Sequence, residues 1–178
     1  MTKSEARQKG KEYRKNLDTF EKKERDNAVL RAFFSLDEVE NADKICVYIS
    51  IRDEVDTFGI IDALLRQGKT LSAPVVTGEN MVAKLFSSLS ELKTGAFGIP
   101  EPQGETVDIC DFDIIVVPMV AFNSKLDRVG YGKGYYDRFL PEGVMTVGLA
   151  YAGQRADFVP DAFDKALDVI ITDEGVVR

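Results

Sequence analysis

Residues 113–118 read Asp-Ile-Ile-Val-Val-Pro. Four consecutive β-branched residues between an acid and a proline are too short a run for a helix and carry no polar alternation. A strand without a polar face has to be covered on both sides, which marks a central strand of a parallel sheet. The segments around it predict the rest of that sheet. Upstream, residues 44–50 (Lys-Ile-Cys-Val-Tyr-Ile-Ser) predict a buried strand, and residues 57–67 a helix stopped by Gly68. Residues 69–76 predict a second strand ending near Pro74, and residues 81–87 a third. Residues 93–107, rich in Gly and Pro, predict a loop. Downstream, residues 134–140 predict a short helix, and Val144–Ala150 and Leu167–Thr172 two further strands.

The N-terminal segment 2–35 predicts two helices with a break near Leu17–Thr19. Tyr13, Leu17 and Phe20, then Leu30, Phe33 and Phe34, recur at helical spacing. Thr2 with Glu5, and Asp18 with Glu21, each fit a capping box. Strands alternating with helices predict an α/β fold: a single three-layer domain, with a mainly parallel central sheet flanked by helices and an N-terminal helical segment. No repeat or long polar linker divides the chain, so residues 1–178 read as one domain.

Beyond the central strand lies Arg128-Val-Gly-Tyr-Gly-Lys-Gly-Tyr-Tyr-Asp-Arg138. Alternating glycines let a ligand approach the main chain. Exposed N–H groups with Arg and Lys suit a polyphosphate, and an aspartate can hold the metal that neutralises it. A flexible surface turn with aromatic anchors is the plain reading, but such a turn has no need of Arg128, Lys133 and Asp137 together. The stretch is not a Walker loop or a dinucleotide fingerprint. Gly68-Lys69-Thr70 has the end of the first, but position 63 is Ala where Gly is required. Gly130-x-Gly132-x-Gly134 brings the third glycine one place early for the second. In parallel sheets ligands gather at the carboxyl ends of strands. The glycine loop, Glu54 and Tyr151 each follow a predicted strand and are expected to converge on one cleft.

Net charge is −7, which argues against a nucleic-acid binder. Any anionic ligand must be captured by local positive charge. Lys3, Arg7, Lys11 and Arg14 recur at helical steps and make one basic face, which solvent alone could occupy. No apolar run is long enough to span a membrane, and the charged N-terminus is unlike a signal peptide, so a cytoplasmic protein is expected. Cys46 and Cys110 read as buried free thiols rather than a disulfide. The absence of histidine removes histidine-based triads, histidine general acids and most zinc sites.

The chain resembles the 5-formyltetrahydrofolate cyclo-ligase (methenyltetrahydrofolate synthetase) family over almost its whole length. The resemblance rests on Val117–Phe122 followed by Arg128–Arg138, with Lys3-x-x-x-Arg7, Glu54–Thr57, Phe97–Pro102, Val147–Tyr151 with Gln154, and Leu167–Asp173 in order. It departs from the family at Asn123 (usually Asp), Leu126 (usually Gly) and Phe163-Asp164 (usually His-Asp).

The resemblance implies Mg-ATP-dependent closure of 5-formyltetrahydrofolate to 5,10-methenyltetrahydrofolate, through a phosphorylated formyl oxygen, with release of ADP and phosphate. It implies ATP binding by Lys3, Ser4, Glu5, Ala6 and Arg7, and by Arg128, Val129, Gly130, Tyr131, Gly132, Lys133, Gly134, Tyr135 and Tyr136. Arg128 and Lys133 would serve the reaction itself. Asp137 and Asp173 are implied as magnesium ligands, although a helix-start charge and an exposed turn carboxylate explain them as simply. Glu54, Ile49 and Tyr151 are implied in folate binding, against ordinary roles as a helix-start carboxylate, core packing and a strand-end aromatic. The expected form is a monomer acting on small molecules, with no nucleic acid and no membrane. A non-catalytic nucleotide or folate binder on the same scaffold, and a sugar-phosphate enzyme of similar architecture, stay open on the residues alone.

Overall fold

In the computed structural model, which describes residues 1–178, the chain opens with helices α1 (Lys3–Asn16) and α2 (Thr19–Phe34). Both capping boxes form. Glu5 N–H donates to the Thr2 hydroxyl while Thr2 N–H donates to Glu5 at 2.7 Å, and Asp18 with Glu21 repeats the pattern. Leu17, between the helices, is extended. A short α3 (Asp37–Asn41), for which the sequence offers no periodicity, leads into β1 (Lys44–Val47). Then come α4 (Phe58–Arg66), β2 (Thr70–Thr77), β3 (Asn80–Phe86), β4 (Lys93–Thr94), β5 (Pro100–Glu101), β6 (Thr106–Val107) and β7 (Ile114–Pro118). The rest is β8 (Ala121–Phe122), β9 (Arg128–Val129), α5 (Tyr135–Phe139), β10 (Met145–Leu149), β11 (Val169–Thr172) and β12 (Gly175–Val177).

Eight strands form one sheet in the order β12-β11-β10-β7-β1-β2-β3-β6. The five from β11 to β2 are parallel, and antiparallel strands close both edges. β7 lies at the centre, paired in parallel with β1 and β10, and Ile114–Val117 are all fully buried. Ile114 and Val116 face a core shared with Val29 and Phe33 of α2, Val39 of α3 and Ile60, Ile61 and Leu64 of α4. Ile115 and Val117 face the opposite core, with Met119, Phe122 and Phe139. These are the three layers, and two-sided burial is why β7 has no polar residue.

Several local expectations shift. β2 runs through Pro74 to Thr77, because its pairing with β1 stops at Ser72 and the proline has a strand on one side only. The segment 93–107 is not a plain loop. It holds the β4–β5 hairpin and β6, which extends the sheet beyond β3. Strands of two residues have no period to detect. The β8–β9 ribbon was invisible for the same reason. Cys46 is buried, which pushes its thiol up to about 12, whereas Cys110 is exposed, a correction to its expected burial. No helix is long and apolar enough to cross a membrane.

Strand order decides where a ligand can enter. From β1 the chain builds outward through β2, β3 and β6, then returns to the other side of β1 as β7 and continues through β10. The two directions part between β1 and β7, and a crevice opens there at the strands' carboxyl ends.

Candidate active site at the carboxyl ends of β1 and β7

The crevice is a cleft of about 380 Å³. One wall is apolar, with Ile49, Pro74, Val76, Met81 and Ile99, and the rim is charged, with Lys3, Arg7, Arg52, Arg128 and Lys133. The predicted glycine loop lies along it between β9 and α5. Gly132 (φ +95°) and Gly134 (φ +68°) hold left-handed conformations that a side chain would strain, and a Cβ on Gly134 would lie 2.8 Å from the Arg138 guanidinium. The main-chain N–H groups of residues 130–134 enter no hydrogen bond within the protein. Unspent donors on a flexible backbone are what an anion-binding loop needs.

α1 is docked against this loop. A Cβ on Gly10 would lie 2.0 Å from the Val120 carbonyl oxygen, so the helix lies directly on the backbone entering the β8–β9 ribbon. That contact brings Arg7 to the loop, where its Nε donates to the Gly130 carbonyl at 2.8 Å. Lys3 lies one turn earlier and also lines the cleft. Its ammonium meets Asp164 at 2.6 Å and Asp161 at 2.9 Å. Burial opposes the Lys3 charge, but the two aspartates outweigh it and its pKa is raised. Asp164, which lines the cleft too, is the aspartate of the Phe163-Asp164 departure.

Arg128 is buried on β9, and its Nη2 donates to Asp137 Oδ1 at 2.7 Å. Lys133 joins no ion pair and lies over the Phe97 ring, 4.5 Å from the centroid. Phe97 is held at φ +57°, sparsely populated backbone for an aromatic residue and a mark of functional loops. Arg52, in the turn after β1, lines the cleft at φ +53°. Nothing in the sequence pattern pointed to Arg52, and Asp164 was marked only by the departure beside it.

Glu54 is buried and lines the cleft. Its Oε2 accepts from Ile51 N–H at 2.9 Å and its Oε1 from the Tyr131 hydroxyl at 2.9 Å. Burial pushes its carboxyl above the usual range, against the pull of those two bonds. Ile49 lines the cleft as well, while Ser4, Glu5, Ala6 and Val129 do not.

Two further predicted residues lie elsewhere. Tyr151 is fully buried, with its ring 6.5 Å from Tyr13 and its hydroxyl donating to Asp26 at 2.6 Å. It follows β10, but its side chain enters the core beneath α1 and α2, so the expected convergence holds for the glycine loop and Glu54 without it. Asp173 is consumed by Ala152 N–H at 2.7 Å and by Arg25, and it does not line the cleft. No cluster of three or more His, Cys, Asp or Glu side chains has metal-site geometry.

The departures at 123 and 126 are local. Asn123 Oδ1 accepts from Lys125 and Asp127 N–H groups at 2.9 and 3.1 Å, closing the turn as an aspartate would. Leu126 takes φ +66°, where glycine would be unstrained.

A model of the 5-formyltetrahydrofolate cyclo-ligase family matches residues 1–173. The chain is 30% identical to the 5-formyltetrahydrofolate cyclo-ligase of Haemophilus influenzae, covering 83% of this chain and 84% of that one. It is 29% identical to a probable 5-formyltetrahydrofolate cyclo-ligase of Schizosaccharomyces pombe, over 85% of each. Its fold matches the solution structure of Aquifex aeolicus 5,10-methenyltetrahydrofolate synthetase with a TM-score of 0.89 and 39% identity, covering 100% of this chain and 93% of that one.

Proposed function

The chain belongs to the 5-formyltetrahydrofolate cyclo-ligase family, and from that premise we propose how its cleft divides between ATP and the folate. It is an ATP-dependent ligase that closes 5-formyltetrahydrofolate to 5,10-methenyltetrahydrofolate. The observation that supports the division is that cationic, main-chain-donor and apolar groups share the lining of one cleft with a buried carboxylate. The glycine loop, Lys3, Arg7, Arg128 and Lys133 line it together with buried Glu54 and the apolar side chains of Ile49, Pro74, Val76, Met81 and Ile99.

The polyphosphate lies along residues 130–134, whose free N–H groups and flanking cations neutralise it. The pterin lies against Ile49 and its neighbours, with its amino and ring N–H donors on Glu54. This arrangement aims the γ-phosphate at the formyl oxygen. That oxygen attacks phosphorus and ADP leaves, which converts a poor leaving group into phosphate. Nitrogen 10 then attacks the formyl carbon, its proton is lost, the C–O bond breaks and the ring closes with release of phosphate. The protein's contribution is positioning and charge neutralisation. Arg128 and Lys133 stabilise the transferring phosphoryl group, and no histidine base is required.

The residues present fit magnesium. Asp137 lines the cleft beside the loop, and its Oδ2 has no partner in the protein. Magnesium commonly takes one or two carboxylates, with phosphates and water completing its octahedron. When bound it supplies charge neutralisation between the phosphates. Asp137 is the ligand we propose, since the bonds that hold Asp173 lie outside the cleft. A cytoplasmic monomer is the form we propose.

Mixing the protein with 5-formyltetrahydrofolate, ATP and magnesium and following methenyl product in the ultraviolet tests the reading. Product is expected only when all three are present. Folded protein that gives none beside a working control would overturn it.

A further inference from the structure

One chain of side chains joins α1, the glycine loop and the turn after β1. Arg14 Nη2 donates to the Tyr131 hydroxyl at 2.9 Å, and that hydroxyl donates to Glu54 Oε1 at 2.9 Å. Both ends are fixed from other directions. Arg14 pairs with Asp53 at 3.0 Å and reaches the Met119 carbonyl at 3.4 Å, and Glu54 Oε2 is held by Ile51 N–H. Arg14 is 4% exposed, yet its Nε is buried with no partner.

Tyr131 belongs to both halves of the cleft. Its main chain is the middle of the glycine loop, between Gly130, whose carbonyl is held by Arg7, and Gly132, which adopts φ +95°. Its hydroxyl is on the Glu54 carboxylate. Burial, and then the Glu54 charge, push that hydroxyl up to about 12, so it remains a donor at neutral pH. A carboxylate oxygen that accepts one hydrogen bond keeps a second lone pair, so Glu54 can hold Tyr131 and a ligand's N–H together.

We propose that Tyr131 is a positioning residue that couples the two ligand sites, so that phosphates ordering the glycine loop also set the Glu54 carboxylate for the folate. The coupling is reciprocal: the factor by which nucleotide tightens folate equals the factor by which folate tightens nucleotide. This rests on the assignment of the loop to ATP and of Glu54 to folate.

The test is calorimetric titration of 5-formyltetrahydrofolate with and without a saturating imido analogue of ATP plus magnesium. The wild-type protein is expected to bind the folate roughly fivefold or more tightly when the analogue is present, the lower end of ordinary allosteric coupling. In Tyr131→Phe the ratio is expected to fall to about one, while each ligand alone still binds. A residue that merely braced the loop would weaken one ligand, or lower the melting temperature, and leave the ratio intact. A wild-type ratio of one, or an unchanged ratio in Tyr131→Phe, overturns the proposal. Glu54→Gln separates it from the assignment beneath it. Folate binding alone at wild-type strength in that variant removes Glu54 from the folate site, whereas the Tyr131→Phe ratio is read independently.

Discussion

Lys133 and Arg128 enter the cleft in opposite states. Arg128 is 6% exposed and paired with Asp137, while Lys133 lies over an aromatic ring with no counter-charge. Lys133→Ala is therefore expected to cut turnover by roughly 10²–10³-fold with the melting temperature nearly unchanged, as for loss of one donor to a transferring group. Arg128→Ala is expected to abolish turnover as well, with a larger stability cost because Asp137 loses its partner. A melting temperature that falls in step with activity in both variants would return the pair to a structural role. Glu54 has a pH signature. Its folded pKa is raised by burial, so between the unfolded value of about 4.3 and the folded value the native state binds more protons. Stability contributed by the protonated form is present at low pH and lost as pH rises through that window, while the carboxylate we propose as the folate's partner is lost as pH falls through it. The KM for folate is expected to climb on acidification at a higher pH than an ordinary glutamate would give. Glu54→Gln is expected to flatten that climb, and a profile that keeps its shape in the variant argues against Glu54 as the titrating group.

The first helix brings Lys3 and Arg7 to the cleft and Arg14 to the Tyr131 hydroxyl. Its position depends on Gly10, where even a methyl group would lie 2.0 Å from the Val120 carbonyl oxygen. Gly10→Ala is expected to cost about 1–3 kcal/mol by overpacking and to displace the helix. The KM for ATP should then rise more than the KM for folate; equal increases would count against α1 as the phosphate side of the cleft. Both helix starts were legible in advance because a capping box is a contact across three residues, spelled out in the sequence. The β4–β5 hairpin, which supplies Phe97, was not, because two-residue strands have neither period nor cap.

The cleft as a whole joins segments from both ends of the chain, so its ligands should report on global stability. Magnesium with ATP at about a hundred times Kd is expected to add roughly 2.7 kcal/mol and raise the melting temperature. Chelation with EDTA is expected to stop turnover and excess magnesium to restore it, with Asp137→Asn needing more magnesium for half-maximal rate. Turnover that survives full chelation would dismiss the metal. The sequence by itself determined the α/β class, the central strand at 114–118, the helix starts and the glycine loop. Each of these is written in local physics: apolar runs, capping pairs and positive-φ glycines. Only the tertiary structure decided which charges meet. Tyr131 reaches Glu54 across 77 residues and Lys3 reaches Asp164 across 161, while Tyr151 and Asp173 are turned into other partnerships. No local pattern encodes such pairs, because they exist only where strand order reverses between β1 and β7 and brings distant loops to one crevice.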